Sequence, residues 1–523
     1  MQRASVSFEV TRFVSLPTDT LLSQPHFEYR FTGFVCHTVQ ILDNQQHAQP
    51  LNFCHYFVNR LRRPALKQST TSGTLPAARH GMETRIVVSC ADGGSAPFVR
   101  LLADISGNFG IQTREVTIVP HEVRRIMDDE DIGDNPGNKD DKDEKDETKD
   151  EILAAYGDGP PPLFLLRDPI RVFDEWKFDG RGKVEFFISC YRRLLKQAAT
   201  INSKTVVFEQ VVRNTLEESR DVCAWWGLQY PEHASRHANL DLSLPYRGVL
   251  TNLEREQVEE RCCRLYLRHC GKEAVRLRNI FRKRTWFGFD LDDTLHEFRY
   301  AAGQASSAII KSIAPRFMVP VSQMEEAYSR ILKDKTRDAF TDGKPSRYYR
   351  KQRILALMGE FPDQWESIKD FAGEEFDDKY IEKLLDLYEK TLSESLRLKC
   401  GAFSLLAHLK QLRKKVAIFT EGPHDAQQRA IRALGVEDYV DYLATTGKLG
   451  VSKVDGLFQH VLTHREIDAG DLVYIGDSQQ RDMEPALAAG IFCVHLDETG
   501  DMCLSSTPPR VTSLSKIEHL LML

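Results

Sequence analysis

The chain has 523 residues, with 70 basic and 76 acidic side chains and a net charge of −6 at neutral pH. At 41% hydrophobic content it can bury more than one core, and its near-balanced charge gives no global pull toward nucleic acid or an anionic membrane. No apolar run approaches the roughly 20 residues that cross a bilayer, and the 11 scattered cysteines lack paired metal spacing and read as reduced thiols of a cytoplasmic protein.

Residues 1–80 show no persuasive period or motif, and the metal-capable His26, Cys36, His37, His47, Cys54 and His55 lack ligand spacing. Arg85 to Cys90 is strand-like and is followed by the glycine turn Ala91 to Pro97 and a helix, an order that can cradle phosphate. Residues 128–151 are dense in Asp, Glu and Lys without a hydrophobic face, which predicts a disordered acidic insertion. Further strand-like runs are Leu163 to Leu166, leading into Arg167-Asp168-Pro169, and Val206 to Phe208. Cys262 to Arg284 is basic and helical, and 273–284 is expected to be a solvated linker helix.

Phe287 to Phe289 is an apolar run that opens into Asp290-Leu291-Asp292-Asp293-Thr294. Alternation along an extended segment lets Asp290 and Asp292 project together while Leu291 turns away. Such a pair invites a cation, a shared proton or a catalytic division of labour; alone it reads equally well as an acidic turn after a strand. A second run ends at Thr420 and is followed by Glu421-Gly422-Pro423. Lys453 lies in Gly450 to Gly456, and a third run, Leu472 to Ile475, ends in Gly476-Asp477-Ser478 with Asp482 beyond. Taken singly, Thr420 suits a helix N-cap, Lys453 a solvated surface and Asp482 the first turn of a helix.

As an ordered set these four segments resemble the motifs of the haloacid dehalogenase superfamily of hydrolases, over residues 285–523. The resemblance implies a Rossmann-like parallel sheet with a helical cap. It implies Asp290 as a nucleophile that forms an aspartyl-phosphate, and Asp292 as the acid and then the base. Thr420 would hold a phosphoryl oxygen and Lys453 would offset negative charge. Mg2+ would be held by Asp290, the Asp292 carbonyl, Asp477 and Asp482. An Asp two residues after the nucleophile resembles the phosphatases and phosphomutases of the superfamily. The dehalogenases lack that residue.

Between the first two motifs, residues 299–400 read mostly as helix, for example Ser322 to Lys333 and Asp378 to Leu396, and resemble the superfamily's helical cap. The polar stretch Thr341 to Lys351 is the candidate substrate contact, with Arg347 and Arg350 for an anionic group and Tyr348 or Tyr349 for a base. A solvated helix start, with the tyrosines in the cap core, is the plainer alternative. The layout most resembles pyrimidine 5′-nucleotidase-like members, which implies a nucleoside monophosphate or another small phosphometabolite. Glu421 departs from that pattern, and its carboxylate must point away from phosphate or restrict what fits.

Residues 81–272 resemble a sulfotransferase-like P-loop α/β domain of the kind that binds 3′-phosphoadenosine 5′-phosphosulfate. There Arg167 would meet the 3′-phosphate. Glu175 stands where that family places a serine, and Asp92 stands in the glycine turn where a basic residue is usual. The expectation is therefore a degenerate domain, free to bind a protein partner. A non-catalytic scaffold and a bifunctional transferase–phosphatase are the alternatives to a phosphatase.

Overall fold

The computed structural model describes residues 84–90, 99, 101–102, 112–118, 161–231, 246–335, 340–366 and 375–523, all within the compact unit His80–Leu523. The region 1–80, the glycine turn with Asp92 and the acidic segment 128–151 lie outside them.

Two parallel sheets organise the unit. The first has the order β2-β1-β3-β4, from β1 Thr84–Cys90, β2 Gln112–Ile118, β3 Leu163–Leu166 and β4 Lys204–Val207. The second has the order β10-β9-β8-β5-β6-β7, from β5 Trp286–Phe289, β6 Lys415–Thr420, β7 Tyr442–Thr445, β8 Leu472–Gly476, β9 Phe492–Leu496 and β10 Arg510–Val511. Its pairings are all parallel. Central strands such as Leu-Val-Tyr-Ile-Gly of β8 are buried throughout, because helices cover both faces of a parallel sheet.

One hydrophobic core runs through the segments expected to form two domains and a linker. It includes Phe164, Phe187 and Tyr191 from the first sheet and its helices, Leu277 and Phe281 from the connecting segment, and Phe287, Ile418 and Val473 from the second sheet. Helix α1, Gly271–Lys283, buries Ala274, Leu277 and Phe281. Its basic residues lie on the remaining face, so this helix is half sunk rather than solvated. The carboxyl-terminal helix of the chain, Leu514–Met522, packs against the same core through Leu514, Ile517 and Leu520.

A buried ion cluster joins the two halves. Lys516 Nζ lies 3.1 Å from Asp168 Oδ2 and 3.0 Å from Glu259 Oε1, with all three side chains out of solvent. Thr512 Oγ1 donates to Asp168 Oδ2 at 2.9 Å, and Glu209 Oε1 accepts from the Asp168 N–H at 2.8 Å. Burial, with the neighbouring Asp168, raises the Glu209 carboxyl to about 7.

Between β5 and β6 stand helices α2 Phe298–Phe317, α3 Val321–Lys335, α4 Ser346–Gly359 and α5 Glu375–Ser395. They bury a separate core that includes Ile309, Phe317, Met324, Leu357, Trp365 and Leu385. This helical body, with its own core, leaves and rejoins the sheet at two adjacent strands, β5 and β6.

Candidate active site

Strand order brings the sequence motifs together. β5 lies between β8 and β6, and Phe289 is in register with Ile475 on one side and Ile418 on the other. Asp290, Asp477 and Thr420 therefore emerge side by side at the carboxyl ends, where open α/β sheets place ligand sites. The Asp290 N–H donates to the Ile475 carbonyl at 2.9 Å, which fixes the first residue beyond β5.

Lys453 Nζ is buried between two carboxylates. It donates to Asp290 Oδ1 and, at 2.6 Å, to Asp482 Oδ1. Asp482 is further held by the Tyr474 hydroxyl, donating to Oδ1 at 2.7 Å, and by the Ser478 N–H, donating to Oδ2 at 3.0 Å. Asp290, Asp477 and Asp482 each bring a carboxylate oxygen within 4.8 Å of the others. Burial pushes the Asp290 carboxyl well above the usual range; Lys453 opposes the shift, and Asp482 and Asp292 add to it. Burial also raises Asp477, with Asp482 adding to the rise and Arg299 opposing it. Lys453, with Arg299 3.8 Å from Asp477 at the exposed edge, leaves this set and the neighbouring Asp292 and Asp293 net negative. All-oxygen donors around uncompensated negative charge fit a hard divalent cation such as Mg2+.

Asp292 is set from two sides. His296 Nε2 lies 3.0 Å from Oδ1, and Gln427 Nε2 donates to Oδ2 at 3.2 Å. Asp293 takes a left-handed conformation, φ 62°, which Asp tolerates better than most residues. Thr420 Oγ1 is buried and has no hydrogen-bond partner among the described residues. A buried hydroxyl left in that state at a strand end is a ready donor for an anion oxygen. Glu421 is drawn elsewhere: Oε1 accepts from the Lys453 N–H at 3.4 Å, and Oε2 lies 3.6 Å from Arg481.

Two glycines make room for these groups. A Cβ on Gly422, at φ 145°, would lie 2.6 Å from Gln427 Nε2. A Cβ on Gly476 would lie 2.6 Å from Asp482 Cγ. Gly476→Ala is expected to push Asp482 away from Lys453 and Asp477. The expected result is a loss of about 10²-fold in kcat, since ångström-scale misplacement in a site costs that much, with about 1–3 kcal/mol of destabilisation from overpacking. Parallel kinetics and thermal unfolding check this.

The cap arginines are placed differently from the strand-end set. Arg347 pairs with Glu382 at 2.6 Å, Asp386 at 2.7 Å and Glu389 at 3.1 Å, and Arg350 pairs with Glu389 at 3.0 Å. Both face the acidic side of α5, where the sequence suggested a substrate anion. Tyr349 packs on Phe340 with ring centroids 4.8 Å apart. The start of α4 meets the sheet domain instead, where Ser346 N and Oγ donate to Asp425 at 3.0 and 2.7 Å.

In the first half, Arg167 is buried and faces Asp501 at 3.7 Å. Arg171 donates to the Gly500 carbonyl at 2.8 Å, and Glu175 pairs with Arg247 at 3.3 Å. Arg167 and Arg171 are thus turned toward the loop after β9. A second group of potential ligands, Glu259, Cys263 and His519, is buried, but the Lys516 ammonium already sits on Glu259.

The chain was compared with known proteins over the same region. The family model described as haloacid dehalogenase-like hydrolase matches residues 329–496, a stretch that holds Thr420, Lys453, Asp477 and Asp482. The C-terminal half of this chain is thus similar to haloacid dehalogenase-like hydrolases. The N-acylneuraminate-9-phosphatase of Rattus norvegicus is 25% identical over 235 residues, which are 44% of this chain and 90% of the relative. The glyceraldehyde 3-phosphate phosphatase of Methanocaldococcus jannaschii is 23% identical over 210 residues, covering 40% and 82%. A crystal structure of the HAD-hydrolase YfnB from Bacillus subtilis, bound to magnesium, aligns over 46% of this chain and all of that one, at 22% identity and a TM-score of 0.35.

Sequence reasoning about the hydrolase domain missed His296, Gln427 and Tyr474. His296 stands four residues after Asp292, a spacing that carries no signal outside a helix. Gln427 and Tyr474 reach the site only through tertiary contacts.

Proposed function

We propose that the chain is a magnesium-dependent phosphate monoester hydrolase that works through an aspartyl-phosphate. The observation that carries this reading is the buried Lys453 ammonium held between Asp290 and Asp482, at the strand ends that also present the Thr420 hydroxyl, unpartnered among the described residues. A carboxylate oriented by a buried cation, next to a free donor for an anion oxygen, suits attack on phosphorus. A bound Mg2+ would be held by Asp290, Asp477, Asp482 and the Asp292 carbonyl, and would neutralise phosphoryl oxygens and keep Asp290 ionised. An Asp290 carboxylate oxygen forms a bond to phosphorus as the ester oxygen leaves. Asp292 gives that oxygen its proton. Water then attacks phosphorus, Asp292 takes the proton from it, and the bond to Asp290 breaks. Thr420 and Lys453 hold the phosphoryl group and the nucleophile in line.

Residues 285–523 carry this chemistry under a cap at 299–400, and the described residues of 161–231 and 246–272, with the helix at 273–284, share a core with it. The substrate class is a small phosphorylated metabolite. The names of the relatives favour phosphorylated sugars, sugar acids and trioses, and the nucleoside monophosphates suggested by the motif layout belong in the same panel. Among the described residues no helix is long and apolar enough to cross a membrane.

Phosphate release from such a panel tests the proposal. Turnover is expected only with Mg2+, to disappear in EDTA and to return on adding excess Mg2+. Turnover that survives chelation, or no turnover by a folded protein that binds Mg2+, would count against it.

A further inference from the structure

Among the described residues His296 is the one imidazole in contact with the Asp290–Asp292 turn, and no sequence motif accounts for it. Its side chain is wholly buried, and Nε2 lies 3.0 Å from Asp292 Oδ1. Its Nδ1 is buried without a hydrogen-bond partner among the described residues. Nε2 faces a carboxylate oxygen, an acceptor, so this nitrogen carries a proton and donates it to Asp292. The ring has little freedom to do otherwise. The His296 N–H donates to the Leu291 carbonyl at 3.3 Å, and the backbone pairs with both Asp292 and Leu398 where the chain leaves for the cap and returns. Phe298 meets the ring edge-on, with centroids 6.1 Å apart.

The other oxygen of Asp292 is fixed independently. The Gln427 amide reaches both Oδ2 and the Glu421 carbonyl at 3.2 Å, and two acceptors on one side assign its nitrogen to that side. The two oxygens of Asp292 are thus inequivalent. Oδ1 is committed to His296, and Oδ2 keeps a lone pair for a transferable proton.

We propose that His296 is a positioning residue for proton transfer by Asp292. It pins Oδ1 so that Oδ2 faces the departing ester oxygen in the first step and the attacking water in the second. In the first step the proton on Oδ2 passes to the ester oxygen as the phosphorus–oxygen bond breaks. In the second, Oδ2 takes a proton from water as the new phosphorus–oxygen bond forms. His296 exchanges no proton with substrate in either step. The inference rests on the phosphatase reading and adds to it the group that aims its acid.

The test compares two substrates of one shape: phenyl phosphate, whose leaving group needs a proton, and p-nitrophenyl phosphate, whose leaving group hardly does. His296→Leu keeps the bulk and removes the donor, whereas His296→Gln returns an N–H near the position of Nε2. In His296→Leu, kcat for phenyl phosphate is expected to fall on the order of 10²-fold, within the range for general acid catalysis, with KM little changed. For p-nitrophenyl phosphate, formation of the aspartyl-phosphate should slow only a few-fold, read as the pre-steady-state burst of nitrophenolate. His296→Gln should recover most of the phenyl phosphate loss. The ratio between substrates within one preparation does not depend on how much of it is folded. Equal losses on both substrates, or a His296→Gln as impaired as His296→Leu, would overturn the role of His296 and leave the phosphatase reading standing. Wild-type protein that releases no nitrophenolate with Mg2+ would bring down both.

Discussion

Asp290→Asn is expected to abolish turnover, with a loss on the order of 10⁴-fold or more, because an amide cannot form the acyl-phosphate. The substitution is nearly isosteric and leaves Lys453 its second partner, Asp482. The fold should therefore persist, and stability should move in the other direction. Burial, reinforced by Asp482 and Asp292, holds the Asp290 carboxyl above its ordinary value of 3.8. Between that value and the raised one the folded state binds more protons than the unfolded state, so stability falls as pH rises through the window. At neutral pH without added cation, Asn removes that penalty, and the melting temperature should hold or rise. Phosphate release and thermal unfolding of both proteins, with and without Mg2+, check the two halves. An inactive variant that is also unfolded would not identify a nucleophile, whereas an inactive variant that melts at or above the wild-type temperature would.

Lys516→Met is expected to give the largest loss of stability, about 3–5 kcal/mol, the usual cost of removing one partner from a buried ion pair. Met keeps the length of the stem, so the change isolates the ammonium. Asp168 and Glu259 would be left facing each other without a cation, in a region closed to solvent. Burial alone raises Asp168, but Lys516, Thr512 and the Ile170 N–H outweigh it and hold the carboxyl below 3.8. That contribution is present above 3.8 and is lost as pH falls through the lower folded value. The acid limb of a stability profile should therefore flatten in Lys516→Met. Adding Asp168→Asn should recover part of the loss, because it removes one of the stranded charges. Chemical denaturation across pH measures all three. A variant as stable as wild type would show that the two halves are held by apolar packing alone.

The cluster also bears on how the chain is organised. The basic helix at 273–284 reads in the sequence as a linker between two domains. In the structure Leu277 and Phe281 enter a core shared with Phe164 and Phe287. Borders are inferred from local composition, whereas a shared core depends on which faces meet. A helix with three buried apolar positions and a basic outer face looks the same in sequence whether its partner is one domain or two.

Local sequence determined the strands and their ends. An apolar run closed by Asp290-Leu291-Asp292, by Thr420 or by Gly476-Asp477 states both that a parallel strand is buried and that its end is polar. It also determined the chemical kinds of group available: carboxylates, one lysine and one hydroxyl. Tertiary structure alone decided which of them meet. Strand order puts β5 between β8 and β6, and only then does Lys453 lie against Asp290, 163 residues away in sequence. The same holds for what the sequence misplaced or passed over. Arg347 and Arg350 have the charge to bind an anion, but α5 brings Glu382, Asp386 and Glu389 to them first. His296 and Gln427 bear no motif, yet both reach Asp292, since a hydrogen bond needs only 3 Å of space and no regularity in sequence.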